Sequence, residues 1–154
     1  MQTTRRTFFG IAGAAFLRIQ TPQPNPVAKW KPSELIRPDE LISKIRGQAQ
    51  SKPLIIFSGF ISNYRAGHIP AAVFGGPASS AAGLETLKSA VEKVPRNREI
   101  VVYCACCPWD ACPNVRPAFD ALTQLGYKQV KGLVIPSNLE VDWLNKGYPL
   151  EKGQ

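Results

Sequence analysis

The run Glu99-Ile-Val-Val-Tyr103 restricts the fold more than any other part of the chain. Its apolar residues follow one another without alternation, so an extended segment here is buried on both faces, as in an interior strand of a parallel sheet. The chain then changes character abruptly. Cys104, Cys106, Cys107 and Cys112, all four cysteines of the protein, follow within nine residues. A helical pattern begins immediately after, from Asn114 to Leu125, with Asn114 as N-cap, Pro117 tolerated in the first turn and Gly126 as the residue that ends it.

The rest of the chain repeats this alternation of strand and helix. Leu35, Ile36, Leu41, Ile42 and Ile45 recur at helical spacing, with Pro38 in a first turn and Gly47 as the stop. Pro53-Leu-Ile-Ile-Phe57 reads as a second buried strand, and Gly83 to Val94 as a helix with Leu84, Leu87, Val91 and Val94 on one face. Val130 to Ile135 gives a further strand and Val141 to Lys146 a last short helix. Strands alternating with helices predict an α/β domain with a central, mainly parallel sheet of four or five strands flanked by helices. At 154 residues the chain supports one such domain. No heptad, G-X-Y or 18-residue apolar run is present, which excludes a coiled coil, a collagen and a multi-span membrane protein.

The first 20 residues read as a separate segment. Thr4-Arg5-Arg6-Thr7-Phe8-Phe9 leads into a weakly apolar, Gly/Ala-rich stretch ending at Leu17, too short to span a bilayer. This segment resembles a bacterial twin-arginine signal, which implies export by the twin-arginine machinery to the periplasm or another extracytoplasmic site. No clear small-x-small cleavage site follows, so retention of the leader as an anchor stays open. No cysteine precedes residue 104, which excludes a lipoprotein. Residues 21–31, with three prolines, read as a linker, and residues 32–154 as the folded domain. Arg5, Arg6 and Arg18 fall in the leader, which leaves 16 basic against 11 acidic residues elsewhere. With no Arg/Lys stripe, that balance favours small anionic substrates, and no nucleic-acid partner is expected.

The cysteine loop is where chemistry is expected. It joins the carboxyl end of a buried parallel strand to a helix N-terminus, and ligands bind at that edge of an α/β sheet. A thiol there lies at the positive end of a helix dipole, which favours the thiolate and predicts a Cys104 pKa below the usual value of about 8.5.

Three blocks of the chain resemble the rhodanese (sulfurtransferase) family. They are Tyr64-Arg-Ala-Gly-His68-Ile-Pro70-Ala-Ala72, Val101-Val-Tyr-Cys104 and Trp143-Leu-Asn-Lys-Gly147-Tyr-Pro149, in the family's order. The resemblance spans roughly residues 32–153 and implies a rhodanese-like fold. It also implies that Cys104 is the catalytic residue, carrying sulfane sulfur as a persulfide from a small anionic donor such as thiosulfate to a thiol or cyanide-like acceptor. Cys106, Cys107, Trp109, Asp110, Cys112 and Arg116 are then the residues that shape the substrate pocket. The chemistry requires no cofactor and assigns no resident metal.

The chain departs from the family at three places. Phe57-Ser58-Gly59 stands where Asp-Val-Arg is usual, Ala71 replaces a glycine, and the segment from Ala105 to Pro113 lengthens the cysteine loop. The family's loop-closing arginine has no equivalent there, because Arg116 lies a turn into the helix. That argues against the related phosphatases.

Other chemistries remain open to the additional cysteines. Cys104 or Cys107 can pair with Cys112 as a disulfide, giving a thiol-disulfide redox protein. The four soft ligands can instead take Cu(I) or Zn(II), in a metal- or partner-binding module. His68, the only histidine, reads as a hydrogen-bonded structural residue, with no carboxylate near it in sequence. Trp30 and Trp143 read as core, and Asp110 as a partner for an amide or for Arg116.

Overall fold

The computed structural model describes residues 30–48 and 52–153. The leader and all of the linker but its last two residues lie outside the described residues. The strand foreseen at 99–103 is β4 (Ile100–Tyr103), and it is buried at every position. It is the middle strand of a five-stranded sheet of order β1-β5-β4-β2-β3, formed with β1 (Leu35–Ile36), β2 (Leu54–Phe57), β3 (Val73–Phe74) and β5 (Val130–Leu133). Every pairing is parallel, with Leu54 opposite Ile100 and Ile100 opposite Val130.

Burial on both faces explains the unbroken apolar runs. Side chains alternate along each strand, so Ile55, Phe57, Val101 and Tyr103 enter one core layer. That layer is completed by Leu41 and Ile42 of α1 (Pro38–Arg46), Tyr64 of α2 (Ile61–Ala66) and Leu139 of α5 (Leu139–Asp142), with Trp143 just beyond it. Ile56, Ile100 and Val102 enter the other layer, against Leu87 and Val91 of α3 (Ala81–Val91) and Ala118, Phe119 and Leu122 of α4 (Val115–Gln124). Among the described residues no helix is long and apolar enough to cross a membrane.

Four elements differ from the sequence expectation. Leu35 and Ile36 form the edge strand β1, opposite Gly132 and Leu133, and the helix begins only at Pro38. Residues before a proline avoid the α region, and Arg37 is extended. Helix α2 and the two-residue β3 carry too little periodicity to be seen in the sequence. The C-terminal helix starts earlier, with Asn138 Oδ1 accepting the Val141 N–H, and a 3-10 turn at Leu144–Lys146 follows it.

The block around His68 is held by hydrogen bonds. His68 Nδ1–H donates to the Tyr64 carbonyl at 2.8 Å and its ring stacks on Tyr64. Contrary to the sequence expectation, a carboxylate does face it: Glu151 Oε2 lies 3.8 Å from Nε2, brought there by the backbone bridge between His68 and Glu151. Ala71, at the family's glycine position, has φ +61° and is the only described non-glycine residue in the left-handed region. That conformation costs an L-residue about 1–2 kcal/mol, part of which glycine returns as chain entropy. Ala71→Gly is therefore expected to stabilise the fold by about 0.5–1 kcal/mol, read as a raised urea midpoint with an unchanged m-value.

Candidate functional site

The carboxyl edge of the sheet gathers the loops that follow β2, β3, β4 and β5. Ser58, directly after β2, is fully buried. Its N–H donates to the Tyr103 carbonyl at 2.8 Å and its hydroxyl to the Gly76 carbonyl at 3.1 Å. Gly59 comes next, and a Cβ there would meet the Phe57 ring at 2.9 Å and Cys104 Sγ at 3.5 Å. The loop after β2 is thus pressed onto Cys104. Asn114 stands at the N-cap position of α4, but its carboxamide does not cap the helix. Asn114 Oδ1 accepts the Ser79 N–H at 3.0 Å and ties the loop after β3 to α4.

The helix amides are taken up by sulfur instead. The backbone N–H groups of Asn114 and Val115 donate to Cys112 Sγ. Cys112 lies beside Cys104, both nearly fully buried, in a small cluster with Val115. The Sγ atoms of Cys104, Cys107 and Cys112 all lie within 4.8 Å of one another. Cys106 is exposed, with its Sγ 3.5 Å from that of Cys104 and 3.4 Å from that of Cys107. None of the four is in a disulfide. Beside Cys106 opens a cleft of about 320 Å³, bordered by Asn63, Gly67, Ala105, Leu139 and Leu144.

The other residues expected at the site are divided between two tasks. Trp109 anchors the loop: its N–H donates to the Ile135 carbonyl at 3.0 Å and its ring packs on Trp30. The Leu139 N–H donates to the Ala105 carbonyl at 3.1 Å, so the loop is pinned to the segment after β5 at two points. Arg116 lies over the Trp30 and Phe119 rings, with Nε 2.9 Å from Asp120 Oδ1 and Nη1 3.9 Å from Glu34 Oε2. Asp110 is exposed at the outside of the loop.

Electrostatics assigns the thiolate to a different cysteine from the one expected. The hydrogen bond from Cys104, and then the amides of Asn114 and Val115, lower the Cys112 pKa to about 6. Cys104 is pushed upward, first because it donates its proton to Cys112 and then because it is buried. Burial, and then hydrogen bonds to Cys106 and Cys112, push Cys107 up to about 12. The sequence places Cys104 at the helix dipole. In the folded chain the loop turns back, so that Cys112 occupies the dipole and Cys104 serves as its donor.

A depressed thiol is charged above its folded pKa and protonated as pH falls through it. Ultraviolet thiolate absorbance is thus expected to show a thiolate forming with a midpoint near pH 6. Cys112→Ser should remove that transition, and Cys104→Ala should move its midpoint upward by withdrawing the hydrogen-bond donor. A transition that survives Cys112→Ser would contradict the assignment.

No protein-family model matches the chain, and no curated protein matches its sequence. Solved structures do match. The BH2092 protein of Bacillus halodurans has a TM-score of 0.61 at 19% identity, over 78% of this chain and 77% of its own. The rhodanese-like domain of an Anabaena protein has a TM-score of 0.55 at 21% identity, over 78% and 80%. A thiosulfate sulfurtransferase of Pseudomonas aeruginosa has a TM-score of 0.58 at 21% identity, over 85% of this chain but 22% of its own. The fold is therefore rhodanese-like, as the three sequence blocks imply.

Proposed function

We propose that the protein is an exported rhodanese-like sulfurtransferase, carrying sulfane sulfur as a persulfide on Cys104. One observation carries this reading. Cys104 is the first residue after the central strand, it lies where the strand-end loops converge, with Gly59 pressed against its sulfur, and the Cys112 sulfur lies within 4.8 Å of it. Among the solved structures of this fold, one is a thiosulfate sulfurtransferase by name, which supports an anionic sulfur donor of the thiosulfate class. The Thr4-Arg5-Arg6-Thr7-Phe8 segment supports export by the twin-arginine machinery, with the leader cleaved or kept as an anchor.

The thiol-thiolate pair supplies the proton chemistry. As Cys104 Sγ attacks the outer sulfur of thiosulfate, its proton passes to Cys112. The donor's sulfur-sulfur bond breaks and sulfite leaves with the electron pair, so that a persulfide anion stays on Cys104. A thiol or cyanide-like acceptor then attacks the outer sulfur. The departing Cys104 thiolate recovers its proton from Cys112. Cys106, exposed at the edge of the cleft, marks the side from which donor and acceptor approach. Trp109 and Arg116 do not line that cleft; they hold the cysteine loop and α4 against Trp30, and Asp110 lies outside it.

The hydrogen-bonded Cys104–Cys112 pair also favours a second reading, a thiol-disulfide redox protein that closes a bond between these two sulfurs. Intact mass separates the two. Under sulfur transfer, reduced protein treated with thiosulfate gains the mass of one sulfur atom, and cyanide removes it with release of thiocyanate. Cys104→Ser shows no gain, and its thiosulfate:cyanide transfer falls to background. Loss of two hydrogens without any gain of sulfur would reject sulfur transfer in favour of the redox reading.

A further inference from the structure

We infer that Cys104, Cys107 and Cys112 form a binding site for a soft monovalent metal ion, Cu(I), held by three sulfurs. The inference rests on how the sulfurs are placed and is independent of sulfur transfer. The three Sγ atoms lie within 4.8 Å of one another, and each comes from a different part of the loop: its first residue, its middle and its last turn before α4. With metal–sulfur bonds of about 2.3 Å, a trigonal site has sulfur–sulfur edges of about 4 Å. From separations within 4.8 Å, the three atoms need to approach by less than about 1 Å to reach those edges.

The donor set selects the ion. Thiolates without imidazole or carboxylate favour soft ions such as Cu(I) over the hard divalent ions. Zn(II) is the competing soft-site ion, but a closed, buried zinc site takes four protein ligands in a tetrahedron. The converging group holds three, all sulfur. Cys106 is not among them; it is exposed and contacts Cys104 and Cys107 from outside. The only histidine is engaged elsewhere, between the Tyr64 carbonyl and Glu151.

The surroundings suit a trigonal thiolate complex. One Cu(I) with three thiolates carries two negative charges, and the N–H groups of Asn114 and Val115 already point at Cys112 Sγ. Cys104 and Cys112 are buried, which shields the ion from oxygen donors. Binding replaces sulfur–hydrogen bonds with metal–sulfur bonds and releases the thiol protons to solvent. Cys106 offers an exposed sulfur through which an arriving ion can be passed inward by ligand exchange.

The test is anaerobic titration of the fully reduced chain with Cu(I) against a chromophoric Cu(I) chelator, with X-ray absorption on the loaded protein. One tightly held ion per chain with three sulfur neighbours, and no nitrogen or oxygen, is expected. Cys107→Ser and Cys112→Ser should each weaken binding by more than about a hundredfold, beyond the loss usual for an outer-shell change. Cys106→Ser should leave the equilibrium affinity within about threefold. Circular dichroism checks that each variant is folded, and absorption on the wild type needs no variant. Two-sulfur or four-sulfur coordination, or binding that survives Cys107→Ser, overturns the site. Thiosulfate loading is measured without copper, so either result can fail alone.

Discussion

Pro113 and Pro117 supply no amide hydrogen at the start of α4, and the N–H groups of Asn114 and Val115 between them end on Cys112 Sγ. Most of the site depends on this sulfur cap. A helix start leaves amide donors that must be satisfied, and Asn114 would ordinarily do so through its own side chain. Because sulfur takes that role, the Asn114 carboxamide is available to accept the Ser79 N–H. Ser58 closes the same edge through Gly76 and Tyr103. The loops after β2, β3 and β4 are thereby joined by buried polar contacts rather than by packing alone.

The same cap decides where negative charge resides. Two adjacent buried thiols cannot both ionise at modest cost, because burial and mutual repulsion oppose the second charge. The amides at α4 break the symmetry in favour of Cys112, and Cys104 keeps its proton as the donor in the pair. In the sulfur transfer proposed above, Cys104 therefore reacts through a neighbour that accepts its proton, in the way a base assists a weaker nucleophile. The arrangement makes the reactivity of Cys104 a property of two residues eight positions apart in the sequence.

The sequence carried the layout of the domain because its two interior runs, 53–57 and 99–103, have no polar side to misplace. The same pattern points to the candidate site: a buried parallel strand that stops at a cysteine presents that cysteine at the carboxyl edge of the sheet, where loops converge. The edge elements were harder. Leu35 and Ile36 fit a helical stripe and a strand equally well, and the pairing with Gly132 and Leu133 that decides the matter is almost a hundred residues away. Asn114 reads as a cap from local pattern, but Ser79, 35 residues distant, competes for its side chain. His68 has its carboxylate at Glu151, visible only once the C-terminal segment folds back. In each case the deciding contact is long-range, and no window of sequence contains it.

The lengthened cysteine loop is the clearest departure from the rhodanese pattern, and its fastenings say what the extra residues accomplish. The loop leaves Cys104, is fixed to the segment after β5 through Ala105 and Trp109, and lays the Trp109 ring on Trp30. Trp30 in turn packs over Gly132, where a Cβ would come within 3.0 Å of the indole. Anchored at these points, the chain reverses and returns Cys107 and Cys112 to the sulfur it started from. A loop that only needed to place one cysteine at the end of β4 would need none of these contacts. Length here converts a site built on one sulfur into one built on three, and the geometry of the return path sets both the proton partner of Cys104 and the number of sulfurs available to a metal.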